Sequence, residues 1–213
     1  MARYYPINLD IAGRRCLVVG GGSVALRKVR SLIECGAGVT VVTRDACPGI
    51  TQHATAGDIE LILREFQPED LDGAVLVIGA TDDQSANQAI HDEASHRGIP
   101  ANVVDQPDLC SFTVPAVCRF GPVVLAVSTG GGSPALSKWI RERLEREFDP
   151  WLGRLAELLA DAREGIKARH GSFELRQAAW EAIFESGVPE LVREGRIEEA
   201  RERIRQCISS PSA

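Results

Sequence analysis

Leu17-Val18-Val19-Gly20-Gly21-Gly22-Ser23-Val24-Ala25-Leu26-Arg27-Lys28 is the stretch that decides the fold of this 213-residue chain. A short apolar run stops at three glycines, and a helical pattern begins straight after them. Gly20 can make the tight turn out of a strand, and Gly22 lets the backbone approach phosphates. Ala25 stands where the third small residue of G-x-G-x-x-G/A lets helix and strand pack closely. The helix that follows would aim its unpaired N–H groups and positive dipole end at a pyrophosphate. The flanking pattern agrees. Arg15–Val19 reads as a buried strand, and Val24, Val29, Leu32 and Ile33 recur at helical spacing. Gly36 falls where a helix C-terminus favours positive φ, and Val39–Thr43 supplies a second strand at βαβ distance. The stretch therefore predicts a dinucleotide site, with Gly20, Gly22, Ser23 and Val24 at the pyrophosphate.

Composition bounds the function. The chain is 44% hydrophobic and 25% charged, as ordinary globular proteins are. Its length allows one large or two modest domains. No apolar run reaches membrane-spanning length and Met1–Pro6 carries no signal-peptide core, so no membrane partner and a cytoplasmic location are expected. A net charge of −6 argues against a nucleic-acid partner, but leaves room for an acidic small molecule held by local arginines. Six scattered cysteines without Cys-x-x-Cys predict thiols rather than a disulfide framework. The four histidines form no ligand cluster, so no metal site is expected.

Up to about residue 112 strands and helices alternate. The strands are expected at Cys16–Val19, Val39–Thr43, Ile59–Arg64, Ala74–Ile78 and Ala101–Val104, the helices at Val24–Cys35 and Gln84–Arg97. Asp82 or Asp83 caps the second helix and Gly98 closes it. Such alternation builds an α/β, Rossmann-type parallel sheet that binds ligands at the C-terminal ends of its strands. After Pro107 the pattern changes. Phe112–Arg119 and Val123–Ser128, joined by Phe120-Gly121-Pro122, predict a hairpin or two crossing strands. Gly130-Gly131-Gly132-Ser133-Pro134 opens a helix with serine as N-cap. From Ala135 the chain is helical, with breaks at Asp149-Pro150, Gly171 and Gly187-Val188-Pro189 and a frayed tail at Ser209–Ala213. This divides the chain into a nucleotide-binding domain (1–112), a small β-rich domain (113–148) and a helical domain (149–213). The middle part is too small to stand alone. It is expected to pair with its copy in a second subunit, making a homodimer.

Three segments in order carry more than a generic nucleotide fold: Val19–Lys28, then Ala80-Thr81-Asp82-Asp83 leading to Ala101-Asn102-Val103-Val104-Asp105, then Ala126-Val127-Ser128-Thr129-Gly130-Gly131-Gly132-Ser133-Pro134. Together with Tyr5-Pro6-Ile7-Asn8-Leu9 and Ser111-Phe112-Thr113-Val114-Pro115-Ala116, the sequence resembles the precorrin-2 dehydrogenase family, which also forms the N-terminal part of fused sirohaem synthases. The resemblance implies NAD-dependent oxidation of precorrin-2 to sirohydrochlorin, with ferrous iron insertion in some members. It implies a Rossmann domain, a small domain that interlocks two subunits, and a helical C-terminal domain. The methyltransferase module of fused synthases is not expected here.

The resemblance also assigns roles. Asp105 matches the family's catalytic aspartate. It follows an apolar strand at the edge where a parallel sheet presents its site, and its carboxylate can accept the proton that leaves with the hydride. The plainer reading of Asp105 is a turn-capping residue ahead of Pro107. Arg44 and Asp45 stand beyond the second strand, where Rossmann proteins often place an acid on the ribose. Arginine first leaves NAD or NADP open on physical grounds, and the resemblance favours NAD. Thr81 and Asn102 are expected along the cofactor. Ser111, Phe112, Ser128, Thr129 and Gly130 are expected near the tetrapyrrole. Thr129 stands where some relatives carry a serine. The alternative to an enzyme is a regulatory module that senses a nucleotide, which shares the glycine unit but needs no aspartate after the fifth strand.

Overall fold

The structure, a computed structural model, describes residues 4–148 and 150–209. Residues 1–3, Asp149 of the expected break and residues 210–213 of the expected frayed tail lie outside the described residues. The chain forms two compact units, one from Tyr5 to Val114 and the other from Pro115 onward together with Tyr4.

In the first unit five strands, β1 (Arg15–Val19), β2 (Gly38–Thr43), β3 (Ile59–Leu63), β4 (Leu76–Gly79) and β5 (Ala101–Val103), make one sheet in the order β3-β2-β1-β4-β5. Every pairing is parallel. The helices are α1 (Ser23–Glu34), α2 (Pro48–Ala56) and α3 (Gln84–Arg97). Side chains of a strand alternate between faces, and both faces here are apolar. Cys16 and Val18 of β1 pack with Ala25, Val29 and Leu32 of α1 and Ile50 of α2. Leu17 and Val19 pack on the other side with Ile90 and Ala94 of α3. Burial on both faces is why these strands read as continuous apolar runs. The strand order reverses between β1 and β4, which opens a crevice at the carboxyl ends of those strands.

Most of the expected elements are observed within a few residues. α3 keeps its expected bounds, with Asp83 as N-cap and Gly98 closing it at φ 67°. Two differences have clear causes. α2 was not anticipated because it buries only Ile50 among small and polar residues and so lacks an apolar repeat; its signals were Pro48 in the first turn and Gly57 at φ 80°. The strand expected from Phe112 begins only at Ala116. Pro115 has no N–H for a ladder, and Phe112 packs against the core of the first unit instead.

In the second unit β6 (Ala116–Phe120) and β7 (Val123–Val127) form an antiparallel hairpin in the register Ala116↔Val127 to Phe120↔Val123. Five helices follow: α4 (Pro134–Phe148), α5 (Trp151–Arg169), α6 (Phe173–Glu185), α7 (Val188–Arg193) and α8 (Ile197–Ser209). Leu155, Ile166, Ile183, Val192 and Ile204 bring α5 to α8 onto one core. Ser172 caps α6 by accepting the Leu175 amide at 3.2 Å. Pro189 lies in the first turn of α7, where its missing N–H costs nothing. A further break, at Gly195 (φ 78°), separates α7 from α8. Among the described residues no helix is long and apolar enough to cross a membrane.

One buried charge organises the link between β3 and β4. Asp70, 4% exposed, accepts from Arg64 at 2.6 and 2.8 Å and from the Gln67 amide at 2.8 Å. Burial alone would raise its carboxyl, but the Arg64 and Gln67 hydrogen bonds outweigh it and hold the group below the usual aspartate range. A lowered native value stabilises the fold above the unfolded aspartate pKa and is lost as pH falls through the native one. Asp70→Asn should therefore cost about 2 kcal/mol in denaturant unfolding at pH 7. The gap to wild type should narrow as the pH falls below ~4.

Candidate functional site

The glycine turn after β1 is stitched to its neighbours on both sides. Gly20 (φ 130°) donates to the Val42 carbonyl at 2.9 Å, Ala80 donates to the Val19 carbonyl at 2.7 Å, and Cys47 donates to the Gly21 carbonyl at 2.8 Å. A Cβ on Gly20 would lie 2.1 Å from the Ala80 carbonyl oxygen, and one on Gly21 would lie 1.8 Å from that of Asp45. Neither position accepts a side chain. Gly21, to which the motif assigns no role, is the tighter of the two. Gly22 differs: a Cβ there meets nothing within 4 Å, and its φ of −84° suits any residue. What glycine contributes at 22 is open space beside the start of α1.

That helix start is receptive to an anion. α1 has no side-chain cap and no acidic residue in its first turn, so its first N–H groups and dipole face outward. α3 makes the contrast, because Asp83 already accepts the amides of Ser85 and Ala86 at 3.0 and 3.1 Å. Hydrogen bonds from the Ser85 hydroxyl and these amides hold the Asp83 carboxyl below its ordinary range. In front of α1 lies a cavity of about 540 Å³, within the range of small-molecule sites. Gly20, Gly22, Ser23, Val24, Arg44, Asp45 and Thr81, all expected at the cofactor, line it. Asn102 does not: its buried side chain donates to the Phe112 carbonyl at 3.0 Å. Arg64, Glu65 and Phe66 after β3, with Asp82 and Asp83 after β4, also line the cavity and were missed. The pairing Thr43↔Leu63 brings residues 64–66 beside the end of β2, a neighbour relation that no local motif carries. Asn87, 1% exposed, was missed too; its Nδ2 donates to the Thr81 carbonyl at 3.0 Å and fixes that turn.

Asp105 follows β5 at the same carboxyl edge of the sheet. At φ 60° it is the one described non-glycine residue with positive φ, a conformation that aspartate tolerates better than most side chains. The loop behind it is clamped. The Ser111 hydroxyl accepts the Ala101 amide at 2.8 Å, and the Cys110 thiol accepts the Val103 amide at 3.2 Å. Ser111, expected at the substrate, thus spends its hydroxyl on backbone, and Phe112 lies half-buried against the core. Lys28 was quoted in the motif but given no role. Burial, then Arg27, pull its ammonium below the ordinary lysine range, while Cys110 and Asp105 act in the opposite sense. A half-buried cation therefore faces the field of Asp105.

Ser128, Thr129 and Gly130 belong to the second unit. The Ser128 hydroxyl accepts the Gly130 amide at 3.2 Å. Thr129 Oγ1 accepts the Ser133 amide at 3.0 Å and lies 3.2 Å from the Ser137 hydroxyl, and Ser133 in turn accepts the Leu136 amide at 3.2 Å. The threonine hydroxyl is thus engaged in shaping the start of α4. Gly130 and Gly131 hold φ of 62° and 83°, a turn in which the amides of Gly130 and Gly132 are bonded within the loop and Gly131 lies exposed. Among the described residues no group of three or more His, Cys, Asp or Glu side chains is arranged to hold a metal ion.

Comparison with known proteins places this geometry in a family. A family model described as "Putative NAD(P)-binding" matches residues 7–116. One described as the sirohaem biosynthesis protein central region matches 121–147, and one described as the sirohaem synthase dimerisation region matches 151–208. The siroheme synthase of Methylobacillus flagellatus is 43% identical over 204 residues, covering 96% of this chain and 44% of that protein. That of Thioalkalivibrio sulfidiphilus is 42% identical over 207 residues, covering 97% and 42%. The chain therefore spans less than half the length of these relatives. Among solved structures, SirC, a precorrin-2 dehydrogenase, matches with a TM-score of 0.77 and 26% identity over 97% of this chain and 100% of that one. Glycine turn, uncapped helix start and matched segments agree: the chain belongs to the sirohaem synthase N-terminal family, in which an NAD(P)-binding region precedes the central and dimerisation regions.

Proposed function

We propose that this chain is an NAD-dependent dehydrogenase that oxidises precorrin-2 to sirohydrochlorin, acting as a homodimer in the cytoplasm. One observation carries the reading: a glycine-lined, uncapped helix start and a carboxylate held at positive φ occupy the same edge of one parallel sheet. The named activity of SirC, matched over its full length, supports the substrate. The dimerisation description of residues 151–208 supports the pairing of subunits, as do Trp139, Phe173 and Phe184, each more than half exposed. A nucleotide sensor has no use for a strained acid at this edge.

NAD, when bound, supplies a ring that accepts two electrons and a hydrogen as hydride. The chain does the rest. The amides of Gly22, Ser23 and Val24 hold the pyrophosphate at the start of α1. Asn87 keeps the Thr81 turn in place along the cofactor. Asp105 takes the proton that the substrate loses as the hydride leaves, so one hydride and one proton depart for each new double bond. Lys28, half-buried, lies within the electrostatic reach of that carboxylate. The exposed backbone at Gly131, beside the Gly130 amide that Ser128 already holds, suits a carboxylate of a tetrapyrrole. Ser128 and Thr129 shape that turn, and Ser111 and Phe112 set the loop behind Asp105.

Two substitutions test this. Gly22→Ala adds a methyl that meets nothing within 4 Å, so it should change stability by about 1 kcal/mol or less. The same methyl would stand in the path of the pyrophosphate and should raise the Kd for NAD more than ~10-fold. Unchanged affinity would remove the cofactor from this helix start. Asp105→Asn keeps a side chain suited to positive φ and loses the proton acceptor. In anaerobic turnover of fresh precorrin-2 with NAD, NADH formation should fall by about 10²–10⁴-fold with stability retained. Full turnover in the variant would take Asp105 out of the mechanism, and none in NAD-bound wild type would sink the dehydrogenase.

A further inference from the structure

The cavity rim carries a charge arrangement that the glycine motif does not explain. Where Rossmann units commonly end the second strand in an acid that binds the adenosine ribose and repels a 2′-phosphate, this chain has Arg44. Alone, that guanidinium would attract the 2′-phosphate of NADP. It is not alone. The pairing Thr43↔Leu63 sends the chain out of β2 and β3 side by side, and Arg44 Nη1 lies 3.5 Å from Glu65 Oε1. Arg64, the other guanidinium lining the cavity, is bound twice by Asp70. Asp45 and Asp82 add negative charge to the same rim.

Building on the NAD-binding reading, we propose that Glu65 is the residue that makes this site select NAD over NADP. It stands in for the missing acid at the end of β2, occupying Arg44 and opposing a 2′-phosphate from the neighbouring strand. The pair is weak as an ion pair, since its side chains are 63% and 78% exposed. Its effect on specificity comes mainly from engaging Arg44, the guanidinium that a 2′-phosphate would otherwise use, and in smaller part from its own negative charge on the cavity wall. A dianionic phosphate brought there would meet a guanidinium already engaged by a carboxylate.

The test is isothermal titration of the full chain with NAD and with NADP, reading the ratio of the two Kd values within each protein. A loss of folded protein moves both values alike and leaves the ratio untouched. Wild type should prefer NAD, and Glu65→Gln should shift the ratio toward NADP by about 10-fold. Adding Arg44→Ala to that variant should take most of the NADP gain away, because the released guanidinium supplies it. An unchanged ratio in Glu65→Gln, or a wild type that prefers NADP, overturns the proposal. Absence of binding by either dinucleotide in folded wild type overturns the cofactor reading on which it rests.

Discussion

The site depends on two close approaches of backbone to backbone, Gly20 against the Ala80 carbonyl and Gly21 against that of Asp45. Because neither glycine carries a side chain, the turns after β1, β2 and β4 close on one another at the point where the strand order reverses. Hydrogen bonds from Gly20, Ala80 and Cys47 fix the closure. With the turn so placed, α1 starts at Ser23 with its first amides uncapped, facing a cavity. Open space at Gly22 and crowding at Gly20 and Gly21 are thus opposite requirements met by the same residue type. The core only has to hold the strands in place, and burial on both faces of the sheet does that.

A second constraint bears on the chemistry. Holding a non-glycine residue in the left-handed region costs about 1–2 kcal/mol, and such strain persists only where the surroundings over-determine it. Around Asp105 they do. Ser111 and Cys110 return to the backbone of β5, and Asn102 reaches across to Phe112. Side chains expected near the ligands, Ser111 and Asn102, keep this loop in shape. Electrostatics act in the same region, with Lys28 held half-buried in the field of Asp105.

The sheet and its motif were legible because their signals are local: apolar runs of strand length, three glycines, a capping aspartate and Gly98. The long apolar faces of α1 and of the C-terminal helices were legible for the same reason. α2 was not, since small and polar residues give it no apolar period. The cavity wall formed by Arg64, Glu65 and Phe66 was not either, because it depends on which strand lies beside β2, and the order β3-β2-β1-β4-β5 is a property of packing. Asn102, within β5, was expected along the cofactor. Its amide points into the protein, because the backbone of Phe112 needs a donor there.

The capping difference between α1 and α3 allows one direct measurement: amide hydrogen exchange of the full chain with and without saturating NAD. Bound pyrophosphate should slow exchange at Gly22, Ser23, Val24 and Ala25, and leave Ser85 and Ala86, already bonded to Asp83, nearly unchanged. Protection elsewhere, with the start of α1 exchanging as fast as before, would contradict the placement of the cofactor on which the proposed chemistry depends.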